Sequence, residues 1–334
     1  MSLHLVLGKG PVGSTVAAQL AALGHEVVVV SRSGEPTPAP NVPQPALATA
    51  PGVRADVTHP RGTVRHVAAD ATDAARLAEL ATGAASIVNA ANPRYDRWPE
   101  LWPALNAAAL DAAARSGAVL VTAGNLYGYG EGSGVMTEST PQRSTERKGA
   151  VRAQMWRDAL ARHEAGDLRA TEIRASDYIG PGTVGPAHAG ARLFEPLLAG
   201  KTLRPVGDPD QPHAWTYLPD FAAALVAAAT SESAWGRPWL APTNGPLSYR
   251  ELAGRLAAEA GLPEPTISPV PDLVLRAIGL VVPPMREVAR VAYQQRAPFV
   301  VDSSLSEREL GVAPTPWDRI VTDTTGWWVA HLAA

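Results

Sequence analysis

Leu3-His4-Leu5-Val6-Leu7-Gly8-Lys9-Gly10-Pro11-Val12-Gly13-Ser14 is the stretch that decides the fold. The first five residues read as an apolar strand, and the glycine-rich run after them opens an alanine-rich helix that reaches about Leu23. Val27 to Val30 read as a second buried strand, closed by Ser31-Arg32. Strand, G-x-G-x-x-G turn, helix and strand in this order are the dinucleotide-binding fingerprint in the context it requires. Gly8 permits the tight turn, Gly10 lets the backbone approach a pyrophosphate, and Gly13 lets the helix pack close to the strand. Lys9, Pro11 and Val12 complete the turn. Free N–H groups and the positive dipole end of the helix face the phosphates.

The end of the second strand sharpens the choice of cofactor. NAD binders usually carry Asp or Glu there to hold the ribose 2′-hydroxyl. Here the place is taken by Ser31-Arg32-Ser33, and Glu26 lies too early in the strand. A guanidinium with flanking hydroxyls suits a 2′-phosphate, which it binds as a fork. The expected cofactor is therefore NADP (NADPH).

Composition sets outer bounds. The chain has 334 residues, 46% of them hydrophobic, enough for one large or two modest domains with a sizeable core. A net charge of −3 implies no nucleic-acid or anionic-membrane partner. No apolar run approaches the roughly 20 residues of a membrane span, and no basic, signal-like segment opens the chain. With no cysteine, disulfides, thiolate metal sites and cysteine nucleophiles are excluded. The eight histidines show no metal-ligand spacing, so no metal site is expected. A cytoplasmic protein, monomeric or homodimeric, acting on a small molecule is the expectation.

Beyond the fingerprint, residues 34–62 are proline-rich and read as an extended surface excursion. Further strands are expected at 64–69, 85–88, 118–122 and 169–174, alternating with helices at 74–80, 98–116 and 144–165. This alternation predicts an α/β, doubly wound parallel sheet of Rossmann type. Ligands bind beyond the carboxyl ends of such strands, so Gly8–Gly13, Arg32, Asp70, Asn89–Asn92, Thr122–Tyr127 and Asp177–Gly182 should share one crevice. Residues 1–180 form the expected dinucleotide-binding domain, with 214–245 returning to it. Residues 181–334 form a smaller, mostly helical substrate lobe, with helices at 189–199, 219–230, 248–260 and 271–293.

Several of these segments together resemble the extended short-chain dehydrogenase/reductase superfamily, and more narrowly its atypical, epimerase/dehydratase-like members. They are the glycine turn, Ala69-Asp70-Ala71-Thr72-Asp73, Val88-Asn89-Ala90-Ala91, Asn125-Leu126-Tyr127-Gly128, Arg174 to Gly182 and His213 to Asp220. The resemblance implies that Asp70 and Ala71 contact adenine and that Ala90 and Ala91 pass the cofactor ribose and diphosphate. It places Ala175–Tyr178 near the nicotinamide and Ala123–Asn125 on the substrate side.

One departure governs the chemistry. The superfamily's catalytic pair is Tyr-x-x-x-Lys. Lys148 fits the lysine, but Ser144 stands where the tyrosine belongs, and the usual serine or threonine falls at or beside Ala123, with Thr122 one residue away. A lysine beside a tyrosine on one helix face makes the phenol a usable proton donor. An aliphatic hydroxyl is too weak an acid for that role. Lys148, one of only three lysines, can still hold the nicotinamide ribose. Tyr127 is the expected substitute acid, Asn125 the expected orienter of a substrate carbonyl, and Tyr178 and His213 are further substrate-side donors. Trp98, Trp102 and Trp215 read as packing; facing the crevice, they would imply an apolar or aromatic substrate. The leading expectation is an NADPH-dependent oxidoreductase acting on a carbonyl or conjugated double bond. The alternatives are a redox-neutral epimerase or isomerase with retained cofactor, and a non-catalytic NADP-binding sensor.

Overall fold

The computed structural model describes residues 1–36, 62–185 and 187–333. Residues 37–61 of the proline-rich stretch lie outside the described residues. The centre is a seven-stranded parallel sheet. Its strands are β1 (Leu3–Leu7), β2 (Glu26–Ser31), β3 (Val64–Ala68), β4 (Ala84–Asn89), β5 (Val119–Asn125), β7 (Ala170–Ala175) and β10 (Pro238–Leu240). Their spatial order is β10-β7-β5-β4-β1-β2-β3. The order reverses direction between β1 and β4, so the ligand crevice of a doubly wound sheet falls beyond the carboxyl ends of those two strands.

Both faces of the sheet are covered, which is why its strands read as nearly continuous apolar runs. Val6, Val27, Val29, Val88 and Val121 point to one core, shared with α1 (Pro11–Ala22) and α6 (Leu218–Thr230). Leu5, Leu7, Val28, Val30, Ile87 and Leu120 point to the other. That face carries α2 (Ala74–Leu80), α3 (Trp98–Ser116) and α4 (Arg147–Glu164). Asp73 starts α2 by accepting from the Arg76 amide at 2.9 Å, as an N-cap aspartate should.

Two short strand pairs link the sheet to the second half. They are β8 (Asp177–Ile179) with β9 (Trp215–Tyr217), and β6 (Val135–Met136) with β11 (Val300–Val301). The remaining helices are α5 (Ala191–Leu198), α7 (Tyr249–Glu259), α8 (Asp272–Val281), α9 (Pro283–Val291), α10 (Ser304–Leu310) and α11 (Trp317–Ala333). Phe194, Trp215, Leu252 and Trp328 centre the core of this lobe. The sequence between 214 and 245 supplies α6, which packs on α1, and β10, which pairs with β7. Among the described residues no helix is long and apolar enough to cross a membrane.

Two elements differ from the sequence-based expectation. The single helix expected at 271–293 is broken at Val282, because Pro283 has no N–H to continue the α8 ladder and starts α9 instead. The helix expected from residue 144 starts at Arg147. The Glu146 carboxylate caps it, accepting from the amides of Lys148 and Gly149 at 2.7 and 3.2 Å.

Candidate active site

The cradle at the β1–α1 turn is built from backbone. Gly8 has φ +101°. A Cβ there would lie 2.7 Å from the Ala90 carbonyl oxygen and 3.1 Å from the Ala91 Cα. The glycine therefore lets the ends of β1 and β4 close on each other. The Gly8 amide donates to Val30 O at 2.8 Å and the Ala90 amide to Leu7 O at 3.0 Å. A Cβ on Gly13 would run into the Gly8 carbonyl oxygen, so the contact of α1 with the turn requires glycine. Gly10 is exposed and has open space where a Cβ would project. It is the N-cap of α1 with no side-chain cap, and the first turn carries no acidic residue. The amides at the start of α1 are thus left for an anion. Lys9, Pro11 and Val12 lie in the same turn, partly or fully exposed. This geometry fits a dinucleotide diphosphate.

At the ribose end, the chain folds back after β2. Ser31 Oγ accepts from the Gly34 amide at 3.1 Å. Gly34, at φ +67°, packs so closely on Ala68 that a Cβ would lie 2.7 Å from its amide nitrogen. The Lys9 ammonium reaches across and donates to the Glu35 carbonyl at 3.1 Å. Arg32 is exposed and forms no salt bridge among the described residues. Asp70, next to the half-buried Ala71, is held below the usual carboxylate range. The amide and hydroxyl of Thr72 donate to it at 2.9 and 2.8 Å, and Arg32 adds a smaller contribution.

The catalytic end is built from side chains. Lys148, the second residue of α4, is fully buried, and its Nζ donates to Glu287 of α9. The Arg290 guanidinium donates to the other Glu287 oxygen at 2.8 Å. A buried ammonium is costly unless paired, and Glu287 supplies the pairing. The Lys148 Nζ also lies 4.5 Å above the centre of the Tyr95 ring. Tyr95 follows β4, in a single helical turn over Tyr95–Arg97 that packs against α9. Its hydroxyl meets that of Tyr127 at 3.1 Å. Burial pushes both phenols above their ordinary value. Asn125 closes β5, and its Oδ1 accepts from the Tyr127 amide at 3.2 Å.

Ser144 stands outside this group. It lies before the helix, where its atoms pack against the backbone of Gly130 and Gly149. Its hydroxyl is buried with no hydrogen-bond partner among the described residues. The residue at the expected tyrosine position is thus not on one helix face with Lys148.

Tyr178 is half-buried and stacks on Phe221 at 5.6 Å, and burial raises its phenol to about 12. His213 is buried and engaged on both sides. Its Nε2 bonds the Asp177 carboxylate at 2.9 Å, and its Nδ1 faces the Gln294 carbonyl at 3.3 Å. Burial works to raise the Asp177 carboxyl, but His188 and the bond from His213 outweigh it and hold it at about 2. His213, expected as a free donor, is thus already engaged by Asp177 and Gln294. Trp98 and Trp102 are buried and clamp the Arg152 guanidinium, with ring centres 4.7 and 4.4 Å away. Trp215 is buried and donates to Leu247 O at 2.8 Å. All three tryptophans are packing.

Sequence reasoning missed Tyr95 and Glu287. The signal for Tyr95 was its place three residues beyond a strand end already assigned to the crevice. Glu287 follows Pro284-Met285-Arg286, where no local pattern marks it. The Arg286 side chain is half exposed, and the glutamate reaches inward.

A backbone cradle for a diphosphate, at the switch point of a parallel sheet beside a buried lysine, defines a dinucleotide-binding α/β protein. Residues 4–238 match the NAD dependent epimerase/dehydratase family, and the chain belongs to that family. No curated protein sequence matches it significantly. Among solved structures it is similar to MoeE5 in complex with UDP-glucuronic acid and NAD, with TM-score 0.75, 21% identity, and 98% of this chain and 99% of that chain covered. It is also similar to a double mutant of DesIV, a dTDP-glucose 4,6-dehydratase from Streptomyces venezuelae with NAD and DAU bound. There the TM-score is 0.72 at 24% identity, covering 100% of this chain and 98% of that one. A third, UDP-glucuronic acid 4-epimerase from Bacillus cereus in complex with NAD, gives 0.70 at 17% identity, covering 98% and 96%. At these identities the likeness is one of fold.

Proposed function

We propose that this chain is an NADPH-dependent reductase of a carbonyl or conjugated double bond in a small, apolar or aromatic metabolite. It would act in the cytoplasm as a monomer or homodimer. The observation that carries the reading is a diphosphate cradle whose ribose end presents the cations Arg32 and Lys9 and no strand-end carboxylate. Asp70 and Ala71 would meet the adenine, Ser31 and Arg32 the 2′-phosphate, and Ala90 and Ala91 the ribose and diphosphate. Bound cofactor supplies a hydride to the substrate. Lys148 would hold the nicotinamide ribose, exchanging its bond to Glu287 for one to a hydroxyl. Asn125 would orient the substrate carbonyl through its Nδ2, and Tyr127 would serve its proton chemistry. The half-buried rings of Tyr95, Tyr127 and Tyr178 favour an apolar or aromatic substrate.

A redox-neutral epimerase or isomerase is the second reading, favoured by the family to which the chain belongs. The two separate cleanly. Purified protein is titrated with NADPH and NADH by nicotinamide fluorescence. It is then mixed with NADPH and a panel of aromatic ketones, aldehydes and enones while nicotinamide absorbance is followed. Stoichiometric loss of absorbance with one substrate class is the expected result. Cofactor that co-purifies and is never consumed, with substrate isotope retained in a product isomer, would replace this reading by the second. Tight binding without conversion of any kind would leave a sensor.

A further inference from the structure

The expected acid at residue 144 is absent in kind and in place, yet the crevice contains another phenol in contact with the same lysine. Three elements bring it there. Tyr95 comes from the turn after β4, Tyr127 from the turn after β5, and Lys148 from the first turn of α4. The hydroxyls of Tyr95 and Tyr127 are 3.1 Å apart, so one donates to the other. Trp98 fixes both rings, meeting Tyr95 edge-on at 5.2 Å and Tyr127 at 5.9 Å. The Lys148 ammonium sits over the face of Tyr95, 4.5 Å from its centre. Tyr95 is only half-buried, and it follows the end of β4, beyond which the crevice of such a sheet lies.

We propose that Tyr95 is the catalytic proton donor, with Tyr127 as its hydrogen-bonding partner and Lys148 as the charge that stabilises its phenolate. The inference rests on the reductase reading above and refines the part played there by Tyr127. Reduction of a carbonyl places a hydride on carbon, moves the C=O π pair onto oxygen and requires one proton at that oxygen. Tyr95 Oη gives that proton and is left as phenolate. The Tyr127 hydroxyl donates to the phenolate oxygen, while the ammonium already over the ring offsets the new negative charge. Water restores the proton when product leaves. Both phenols start in the protonated state this requires. Burial keeps them so, and the carboxylates of Glu146, Asp177 and Glu287, which face Tyr95, add to the effect.

Tyr95→Phe keeps the ring and its contact with Trp98, so the fold should survive. It is expected to lower NADPH consumption by about 100- to 10,000-fold, the usual range for loss of a general acid. NADPH affinity, read by fluorescence, should stay within about threefold of the wild-type value. Ser144→Ala should leave turnover unchanged. A second measurement needs no substrate. In protein carrying ring-labelled tyrosine, the Tyr95 resonance is assigned by its loss in Tyr95→Phe, and its titration is followed by NMR. Lys148→Met and Tyr127→Phe should each move that titration to higher pH. Wild-type turnover in Tyr95→Phe overturns the proposal while leaving the reductase reading intact. If no substrate is ever reduced, that reading fails instead, and the titration still decides. A Tyr95 resonance indifferent to Lys148→Met removes the stabilising charge, and the proposal with it.

Discussion

The two ends of the crevice meet the same need, a place for charge, with different materials. The diphosphate end is made of main chain: two glycines that close a turn, a third that admits it, and uncapped amides at the start of α1. The catalytic end is made of side chains from four segments far apart in sequence, carrying Tyr95, Tyr127, Lys148 and Glu287. A backbone site tolerates no added atom at Gly8 or Gly13, yet its polar groups cannot be mutated away. A side-chain site can change residue by residue while the fold persists.

One alanine substitution at each end tests the contrast most severely. Gly13→Ala drives a Cβ into the Gly8 carbonyl, backbone against backbone, and neither side can yield. We expect a loss of about 5 kcal/mol or more, in the rare tail of single substitutions, with dinucleotide binding abolished. Urea unfolding and nicotinamide fluorescence measure the two effects. A protein near wild-type stability would show that the turn is looser than its geometry. Glu287→Ala is next. It leaves Lys148 buried and unpaired, which should cost about 4 kcal/mol. The double variant Lys148→Met, Glu287→Leu removes both charges and should recover most of that stability without recovering activity. A double variant as unstable as the single one would mean that shape, not charge, governs the pair.

Much of this architecture is legible in the sequence, for the same reason that the two ends differ. Gly8 and Gly13 announce the cradle because only glycine meets their steric demands, and the Val27–Val30 run announces a strand covered on both faces. The start of α4 is not legible, because Glu146 captures two amides with its carboxylate and so leaves Ser144 off the helix. β10 escapes notice because three residues beginning with a proline carry no strand period. The pairing of Lys148 with Glu287 spans 139 positions, and no local pattern records it. His213 has its partner 36 positions away at Asp177, so its hydrogen bond there is equally hidden.

Acid should reach the sheet beneath the cradle through a buried group. His4, in β1, is fully buried, bonded to Ser86 Oγ at 2.8 Å and packed edge-on against His25 at 4.7 Å. Burial, with the positive charge of His25 and the N-terminus, lowers its imidazole to about 4. An unfolded histidine titrates near 6.5, so between these values the unfolded chain binds more protons than the folded one. Stability present above pH 6.5 is therefore lost as pH falls toward 4, by up to about 3 kcal/mol. Asp220, raised to about 6 chiefly by burial, works the other way over part of this range, so the comparison must be with a variant. His4→Asn should flatten the loss measured by urea unfolding at stepped pH. An unchanged pH slope in that variant would place the acid sensitivity elsewhere.

The smallest effect bears on the cofactor itself. Arg32 is exposed, so its bond to a 2′-phosphate would be partly screened and worth about 1.5 kcal/mol, roughly tenfold in affinity. Arg32→Ala should weaken NADPH about tenfold and leave NADH unchanged, because the two cofactors differ only at that phosphate. Lys9 touches the same fold-back through the Glu35 carbonyl, so Lys9→Ala should add a smaller loss of the same selectivity. Raised salt should shrink the NADPH preference in the wild type and have little left to shrink in the Arg32 variant. Equal weakening of both cofactors would instead make Arg32 a general phosphate or adenine contact and return the chain to the NAD preference named by its family. The backbone cradle would be untouched in either case. Specificity at this end would then reside in two exposed side chains on a scaffold that reads only the diphosphate, which extends to a single ligand the division of labour seen between the two ends.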